Sequence, residues 1–140
     1  MSVEDNKAKQ QRVFEETLNK GSVDIIPEIF APNYSFHNPL GIKAEGPEGF
    51  KQMVVMMRTA FPDLYTKIDD MFGEGDKLAI RVTMAGTFKG GMMGIPPTGK
   101  KFEVQATLIT HWADGKEVEA WESVDTLAYY QQLGIPVPAQ

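Results

Sequence analysis

The sequence predicts an α+β domain in which helices pack on a strongly curved, mainly antiparallel sheet, forming a cone with an interior pocket. Apolar residues recur at helical spacing in the first half of the chain, whereas they alternate with polar residues from residue 64 to residue 124. Helices that precede a run of consecutive strands are typical of α+β rather than α/β architecture. With 140 residues, the chain fits a single domain spanning 1–140.

Helices are predicted before the run of strands and once more after it. The predicted spans are residues 5–20, 47–61 and 126–133, together with a short helix between Ser22 and Pro32. Ser22 can act as an N-cap, and Pro47 suits the first turn of a helix. Pro32 and Pro62 are expected to end the helices that precede them, because proline cannot continue a helical hydrogen-bond ladder.

Five strands are predicted, of which the last four form an antiparallel meander. Their spans are 34–38, 64–72, 77–89, 101–112 and 117–124. The segment from Lys77 alternates Leu78, Ile80 and Val82 with small or polar residues, as a strand with one buried face does. Asp114-Gly115 is a strong hairpin signal between the last two strands.

Composition and charge exclude several classes of function. The net charge is −5, with 14 basic residues against 19 acidic residues, so neither nucleic acid nor an anionic membrane surface is an expected partner. The longest apolar stretch, residues 53–57, is far too short to span a bilayer. The polar N-terminus does not resemble a signal peptide, and the chain has no cysteine. A cytoplasmic location is therefore expected.

The strand that follows the hairpin carries the most prominent candidate acid, Asp125. Strand alternation places Asp125 on one face together with Trp121, while Glu122 falls on the other face. A carboxylate beside apolar groups has a raised pKa and can serve as a general acid or base near neutral pH. Asp125 also precedes a predicted helix, so it can equally act as an N-cap, and the two roles can coexist.

Two histidines are candidate partners for Asp125. His37 ends the first predicted strand, and His111 ends the strand before the hairpin. Either could shuttle a proton or stabilise an oxyanion, although an isolated histidine is more often structural. Their spacing does not suggest a metal site, and no phosphate-binding or nucleophile motif is present, so neither metal nor cofactor is expected. Met92, in the glycine-rich loop of residues 90–100, is a candidate lid residue.

Several segments resemble the SnoaL-like polyketide cyclase family, within the ketosteroid-isomerase-like and nuclear-transport-factor-2-like superfamily. They are Phe36-His37-Asn38-Pro39, Gly46-Pro47-Glu48-Gly49-Phe50-Lys51, Ala60-Phe61-Pro62-Asp63, Gly94-Ile95-Pro96-Pro97-Thr98-Gly99, Asp114-Gly115-Lys116, Glu119-x-Trp121-x-x-x-Asp125 and Gln132-Leu133-Gly134. They occur in the family's order over nearly the whole chain. The glycine- and proline-rich loop combined with the Trp-x-x-x-Asp ending is the most specific part of the resemblance.

The resemblance implies a homodimer with an interior hydrophobic pocket and an intramolecular aldol condensation that needs no cofactor. In such a reaction an acidic residue removes a proton from carbon between carbonyl groups, and the enolate attacks a second carbonyl. The position that matches the acid/base aspartate is Asp125, with His111 at a strand end where some cyclases place a second polar catalytic residue. The residues expected to bind an apolar carbonyl compound are His37, Trp121, Phe36, Phe50, Met57 and Met92.

Three classes of function remain open on the sequence alone. The first is a cyclase or isomerase-type enzyme with Asp125 as its acid/base group. The second is a non-catalytic domain of the same fold that binds a small apolar ligand, with Asp125 only as a helix cap. The third is a structural dimerisation domain whose cavity is filled by its own side chains. The fold alone cannot choose among them.

Overall fold

The computed structural model describes residues 2–137, which form four α-helices and six strands. The helices are α1 (Val3–Arg12), α2 (Ile26–Ile29), α3 (Gly46–Ala60) and α4 (Thr126–Leu133), and α1 continues into a π-helical segment (Val13–Leu18). The strands are β1 (Phe30–His37), β2 (Ala44–Glu45), β3 (Tyr65–Glu74), β4 (Lys77–Thr87), β5 (Lys101–Ala113) and β6 (Lys116–Val124). None of the helices in this part of the chain has the length and apolar character that crossing a bilayer requires.

The strands form one mixed sheet in the order β2-β1-β6-β5-β4-β3. Every neighbouring pair is antiparallel except β1 and β6, which run parallel and align Phe36 with Ala120. The sheet has two free edges, at β2 and β3, and is therefore not closed into a barrel. The predicted α+β class and the four-strand antiparallel meander are confirmed.

The prediction of a helix from Ser22 to Pro32 is wrong in its extent. α2 covers only Ile26–Ile29, and β1 begins at Phe30, so that Pro32 lies inside a strand. The pairing register between β1 and β6 shifts between Phe30 and Ser35, which leaves Pro32 in an irregular interval of the ladder. Proline is tolerated there because its missing N–H is not required for pairing.

Two apolar clusters hold the helices on the sheet. The first lies under α1, α2 and α3, where the ring centroids of Phe30 and Phe50 are 4.2 Å apart. The second lies under α4, where Phe102 and Tyr129 meet edge to face at 5.0 Å. The helices therefore cover one face of the sheet, and the other face carries the exposed side chains Ile109 and Trp121.

Candidate active site

An apolar cavity lies between the helical layer and the covered face of the sheet. Its volume is about 80 Å³. The apolar lining comes from the π-helical continuation of α1, from α3, from strands β1, β4, β5 and β6, and from the loops that follow β1 and α3: Val13, Phe14, Leu18, Phe30, Phe36, Leu40, Ile42, Phe50, Met53, Met57, Leu64, Met84, Leu108 and Ala120. Three of these residues are methionines, whose flexible side chains can adapt to a ligand larger than the unoccupied space.

Glu122 brings a carboxyl group to this lining from β6. Strand alternation places it on the same face as Ala120, which also lines the cavity. Removal from water disfavours the charged carboxylate and raises the pKa of Glu122 to about 7. A carboxyl with a pKa near neutrality is poised to accept or to release a proton under physiological conditions.

Glu117 is a second carboxyl on the cavity lining and is almost completely buried. Burial raises its pKa to about 8, although the adjacent Tyr34 hydroxyl offsets part of this rise. Burial and the nearby Glu117 in turn raise the pKa of Tyr34 well above its usual value. Within residues 2–137, Oε1 of Glu117 has no hydrogen-bond partner.

A β-bulge turns Glu117 towards the cavity. His111 pairs with Glu119 and the next residue of β5, Trp112, pairs with Glu117, so that Val118 is the extra residue on β6. Regular alternation would put Glu117 on the same face as Glu119, but an extra residue reverses the alternation beyond it. The inner face of β6 therefore carries Glu117 as well as Glu122.

Trp121 lies on the face of β6 that points away from the helices, and Asp125 follows the end of this strand at the start of α4. Trp121 is 39% exposed, and neither residue lines the cavity. The Asp125 carboxylate accepts a hydrogen bond from the backbone N–H of Ala128 at 3.3 Å and so caps α4. The expected pocket position of both side chains is corrected, since alternation groups residues by face without showing which face is covered. A catalytic role for Asp125 stays a prediction.

The two histidines lie apart from the cavity and from Asp125. Nε2 of His37 is 2.6 Å from Oε2 of Glu119, and the His37 ring stacks on Trp121 with centroids 5.7 Å apart. Nε2 of His111 is 3.3 Å from Oδ2 of Asp76, at the opposite end of β6 from Asp125. Neither histidine lines the cavity, so the structure does not bring them together with an inward-facing acid.

Three of the predicted substrate-binding residues do line the cavity: Phe36, Phe50 and Met57. Met92 does not, because it packs in the cluster under α4 and lines a neighbouring cavity with Tyr129 and Tyr130. The two cavities share Leu40 and Ile42 in their linings. Met92 is therefore close to the site without forming part of it.

The polar residues of the cavity are not among the site residues that the sequence predicts. Glu122 could have been found, because a glutamate on a strand face otherwise occupied by Ala120 and Val124 is unusual. Glu117 gave no such signal, since the bulge that turns it inward has no sequence marker. In the described part of the chain, no group of three or more His, Asp or Glu side chains could hold a metal ion.

The sequence model of the SnoaL-like polyketide cyclases matches residues 8–133. The chain belongs to this family. Aklanonic acid methyl ester cyclase DauD from Streptomyces sp. (strain C5) is 29% identical over 130 residues, covering 88% of this chain and 78% of that protein. Nogalonic acid methyl ester cyclase from Streptomyces nogalater is 26% identical over 126 residues, covering 86% and 92% of the two chains.

Solved structures of similar proteins share the fold of this SnoaL-like chain. TsrD from Streptomyces laurentii superimposes with a TM-score of 0.85 at 26% identity, covering 97% of this chain and 99% of that one. A SnoaL-like protein from Jannaschia sp. CCS1 gives a TM-score of 0.86 at 24% identity, over 96% and 94% of the two chains. The resemblance drawn from the sequence motifs is thus confirmed.

Proposed function

We propose that this SnoaL-like protein is a cyclase or isomerase-type enzyme that performs cofactor-free acid–base chemistry on an apolar carbonyl compound, with Glu122 as the general acid–base group. The observation that carries the proposal is the position of Glu122, a carboxyl with a pKa of about 7 on the lining of an apolar cavity. Asp125 is the alternative acid, and its exposed carboxylate is engaged with the backbone of α4.

The chemistry that fits this site is an intramolecular aldol cyclisation. Ionised Glu122 accepts a proton from a carbon atom flanked by two carbonyl groups. The resulting enolate carbon then forms a bond to the carbon of another carbonyl group elsewhere in the same molecule. The C=O π electrons move to oxygen, and protonated Glu122 returns its proton to that alkoxide. Product and substrate are then isomers, and Glu122 ends in its starting state.

The relatives support a polyketide-type ester as the substrate class. The relatives named above are cyclases of aklanonic acid methyl ester and of nogalonic acid methyl ester. The aromatic side chains Phe36 and Phe50 on the cavity lining suit a flat, conjugated molecule. The substrate of this chain is therefore proposed to be a multi-ring or ring-precursor carbonyl compound with little charge.

Replacing Glu122 by glutamine tests the assignment of the acid–base group. The substitution keeps the shape of the side chain but removes its ability to take up a proton. We expect Glu122→Gln to lower kcat/KM for cyclisation of aklanonic acid methyl ester by about 10²-fold or more, with an unchanged melting temperature or a higher one. Product formation is followed by liquid chromatography and mass spectrometry.

Asp125→Asn is the matched control, because it makes an equivalent chemical change at a carboxylate that follows β6 and does not line the cavity. We expect this variant to keep wild-type kcat/KM. If Asp125→Asn is inactive and Glu122→Gln is active, the assignment of Glu122 is wrong and Asp125 is the acid–base group. If the wild-type protein binds aromatic methyl esters but turns none of them over, the non-catalytic binding domain is the better description.

The pH dependence of the reaction provides a second test. Glu122 acts first as a base, so kcat/KM is expected to be low at pH 5 and to rise to a plateau with a midpoint near 7. The measurement is kcat/KM from pH 5 to 9, with the folded state checked by circular dichroism. A midpoint near 4, as for an ordinary exposed carboxyl, would contradict the role of Glu122.

A further inference from the structure

The lining of the largely apolar cavity includes two polar side chains that are almost completely buried. Gln10 is 3% exposed and Glu117 is 2% exposed, and both side chains line the cavity. Oε1 of Gln10 and Oε1 of Glu117 each lack a hydrogen-bond partner within the described residues. A buried oxygen without a hydrogen-bond partner destabilises the folded state by about 1–3 kcal/mol. Two such oxygens on residues that line one cavity therefore call for an explanation.

Several contacts of helix α1 fix the position of Gln10. Helix α1 begins with a capping box formed by Ser2 and Asp5, which fixes its first turn. Lys9 donates a hydrogen bond from Nζ to the backbone oxygen of Gly115 at 2.6 Å, which ties α1 to the β5–β6 hairpin. Gln10 lies one turn before the buried Val13 and Phe14, on the same side of the helical layer.

Glu117 reaches the lining of the same cavity through the β-bulge at Val118, and the Tyr34 hydroxyl lies next to it. These groups belong to separate elements, α1, β6 and β1, which converge on the cavity. An apolar side chain at position 10 or 117 would satisfy the packing without leaving an oxygen unpaired.

We propose that Gln10 and Glu117 form a subsite that binds a neutral hydroxyl group of an otherwise apolar, aromatic ligand. The subsite fixes the orientation of the ligand in the cavity and selects for hydroxylated molecules. It extends the proposed function by naming a feature of the substrate, and it rests on the same cavity being the place where the substrate binds.

The chemistry of the two side chains matches a hydroxyl group. A hydroxyl donates one hydrogen bond and accepts others, and the Gln10 amide offers both a donor and an acceptor. With a pKa of about 8, Glu117 is mostly a neutral carboxylic acid at pH 7, which also donates and accepts. A methyl group of the same size leaves these oxygens unpaired, so the subsite discriminates against it.

The test compares 2-naphthol with 2-methylnaphthalene, which differ by a hydroxyl in place of a methyl group. Affinities are measured by isothermal titration calorimetry on the full-length protein near pH 6, where Glu117 is protonated. We expect the wild-type protein to bind 2-naphthol roughly tenfold more tightly or better, the effect of about one hydrogen bond. Equal binding of the two probes, or binding of neither, would overturn the proposal.

Gln10→Leu and Glu117→Leu are each expected to reduce the preference for 2-naphthol to within about twofold of equality, while binding of 2-methylnaphthalene is retained or improved. Glu117→Gln keeps a donor and an acceptor and is expected to retain most of the preference. It also serves as the informative variant if Glu117→Leu fails to fold. An unchanged preference in both Gln10→Leu and Glu117→Leu would show that neither residue binds the hydroxyl. If Glu117→Leu does not fold, an unchanged preference in Gln10→Leu would exclude Gln10 from the subsite and so contradict a subsite formed by both residues.

Thr17→Val is the matched control. Thr17 is also fully buried, and its Oγ1 has no hydrogen-bond partner among residues 2–137, but it does not line the cavity. The preference for 2-naphthol is therefore expected to persist in this variant, and its loss would assign the discrimination to general packing. Tighter binding of 2-naphthylmethylammonium than of 2-naphthol would show that the subsite takes a cation rather than a neutral hydroxyl.

The comparison of 2-naphthol with 2-methylnaphthalene is independent of the test of the proposed function, because it measures equilibrium binding and not turnover. Glu122→Gln is expected to keep the preference for 2-naphthol. A preference that is retained in an inactive wild-type protein would contradict only the proposed reaction. Turnover without any preference would contradict only the subsite.

Discussion

Glu117 and Glu122 are buried or cavity-facing carboxyls on a strand where apolar side chains would pack better. Their pKa values, about 8 and about 7, are raised because the charged forms lose hydration. The same desolvation that makes them useful for proton transfer and hydroxyl binding makes the folded state sensitive to pH. The free energy of unfolding is therefore expected to depend on Glu117 in a way that can be isolated.

Glu117→Gln is expected to weaken the pH dependence of stability between pH 5 and 8. In the unfolded chain the carboxyl of Glu117 ionises near pH 4.5, whereas in the folded protein it ionises near pH 8. Between these values the folded state binds more protons than the unfolded state, so its stability falls as pH rises. The stabilising contribution is complete below about pH 4.5 and is lost as pH rises through about 8.

The measurement is urea denaturation of wild-type and Glu117→Gln protein at several pH values. The wild-type slope is expected to be steeper by at most about 1.4 kcal/mol per pH unit, the limit for one proton. Because other titrating groups are common to both proteins, their effects cancel in the difference. Parallel stability curves would show that Glu117 titrates alike in the folded and unfolded states.

Sequence reasoning identified part of the cavity lining at the residue level. Phe36, Phe50 and Met57 were predicted and do line the cavity. The inward acids were not predicted, because alternation separates two faces of a strand without saying which one the helices cover. The aromatic residue Trp121 suggests that the outer face of β6 lines the pocket. The bulge at Val118 reverses the alternation, so the sequence pattern does not predict that Glu117 points inward.

At the level of elements, the junction between β6 and α4 depends on Asp125. Its carboxylate accepts a hydrogen bond from the Ala128 N–H, and its backbone oxygen accepts one from Tyr129 at 3.1 Å. At the other end of α4, Gly134 adopts a left-handed conformation with φ 71° and ends the helix. The buried Tyr129 and Leu133 then hold α4 on the second apolar cluster.

Asp125→Ala is expected to lower the free energy of unfolding by about 1 kcal/mol, since alanine cannot accept the hydrogen bond of the capped N–H. Asp125→Asn is expected to change stability much less, because asparagine is an equally good N-cap. Both are measured by urea denaturation at pH 7. Equal losses in the two variants would show that the charge of Asp125, rather than the cap, stabilises the protein.

Sequence patterns predicted the elements whose periodicity is regular. The bounds of α4 were predicted to the residue, and those of α3, β4 and β5 within two residues. The patterns fail where the chain is irregular. The sequence predicts Pro32 as the end of a helix, but Pro32 lies in an irregular part of β1 where its missing N–H is not needed for strand pairing. The two-residue strand β2 is too short to produce any periodic signal.

At the level of the whole molecule, the uncovered face of the sheet is the feature that points to a partner. Ile109 and Trp121, which pair directly across β5 and β6, are 38% and 39% exposed. An apolar pair that meets across two strands of an uncovered sheet face is compatible with an interface at this face. The homodimer implied by the family resemblance stays a prediction, as do the cytoplasmic location and the absence of a nucleic-acid partner.

Trp121→Glu is expected to convert a dimer into a monomer, because it would bury a charge at the centre of an interface between two sheets. Molar mass is measured by size-exclusion chromatography with light scattering over a range of protein concentrations. Val55→Glu is the control, since Val55 is 54% exposed on α3, in the helical layer rather than on the uncovered sheet face. A wild-type protein that is monomeric at every concentration would contradict the predicted homodimer.

The parallel pairing of β1 with β6 has a consequence for how the protein folds. It joins residue 36 to residue 120, whereas the β3–β4 and β5–β6 hairpins join residues close together in the chain. Contacts between distant residues form slowly, because closing a long loop reduces chain entropy before the contacts can compensate. We expect the hairpins to form early and β1 to dock late, carrying Tyr34 and Phe36 into place. The cavity would then be absent from early folding intermediates and from a nascent chain until residue 122 has left the ribosome.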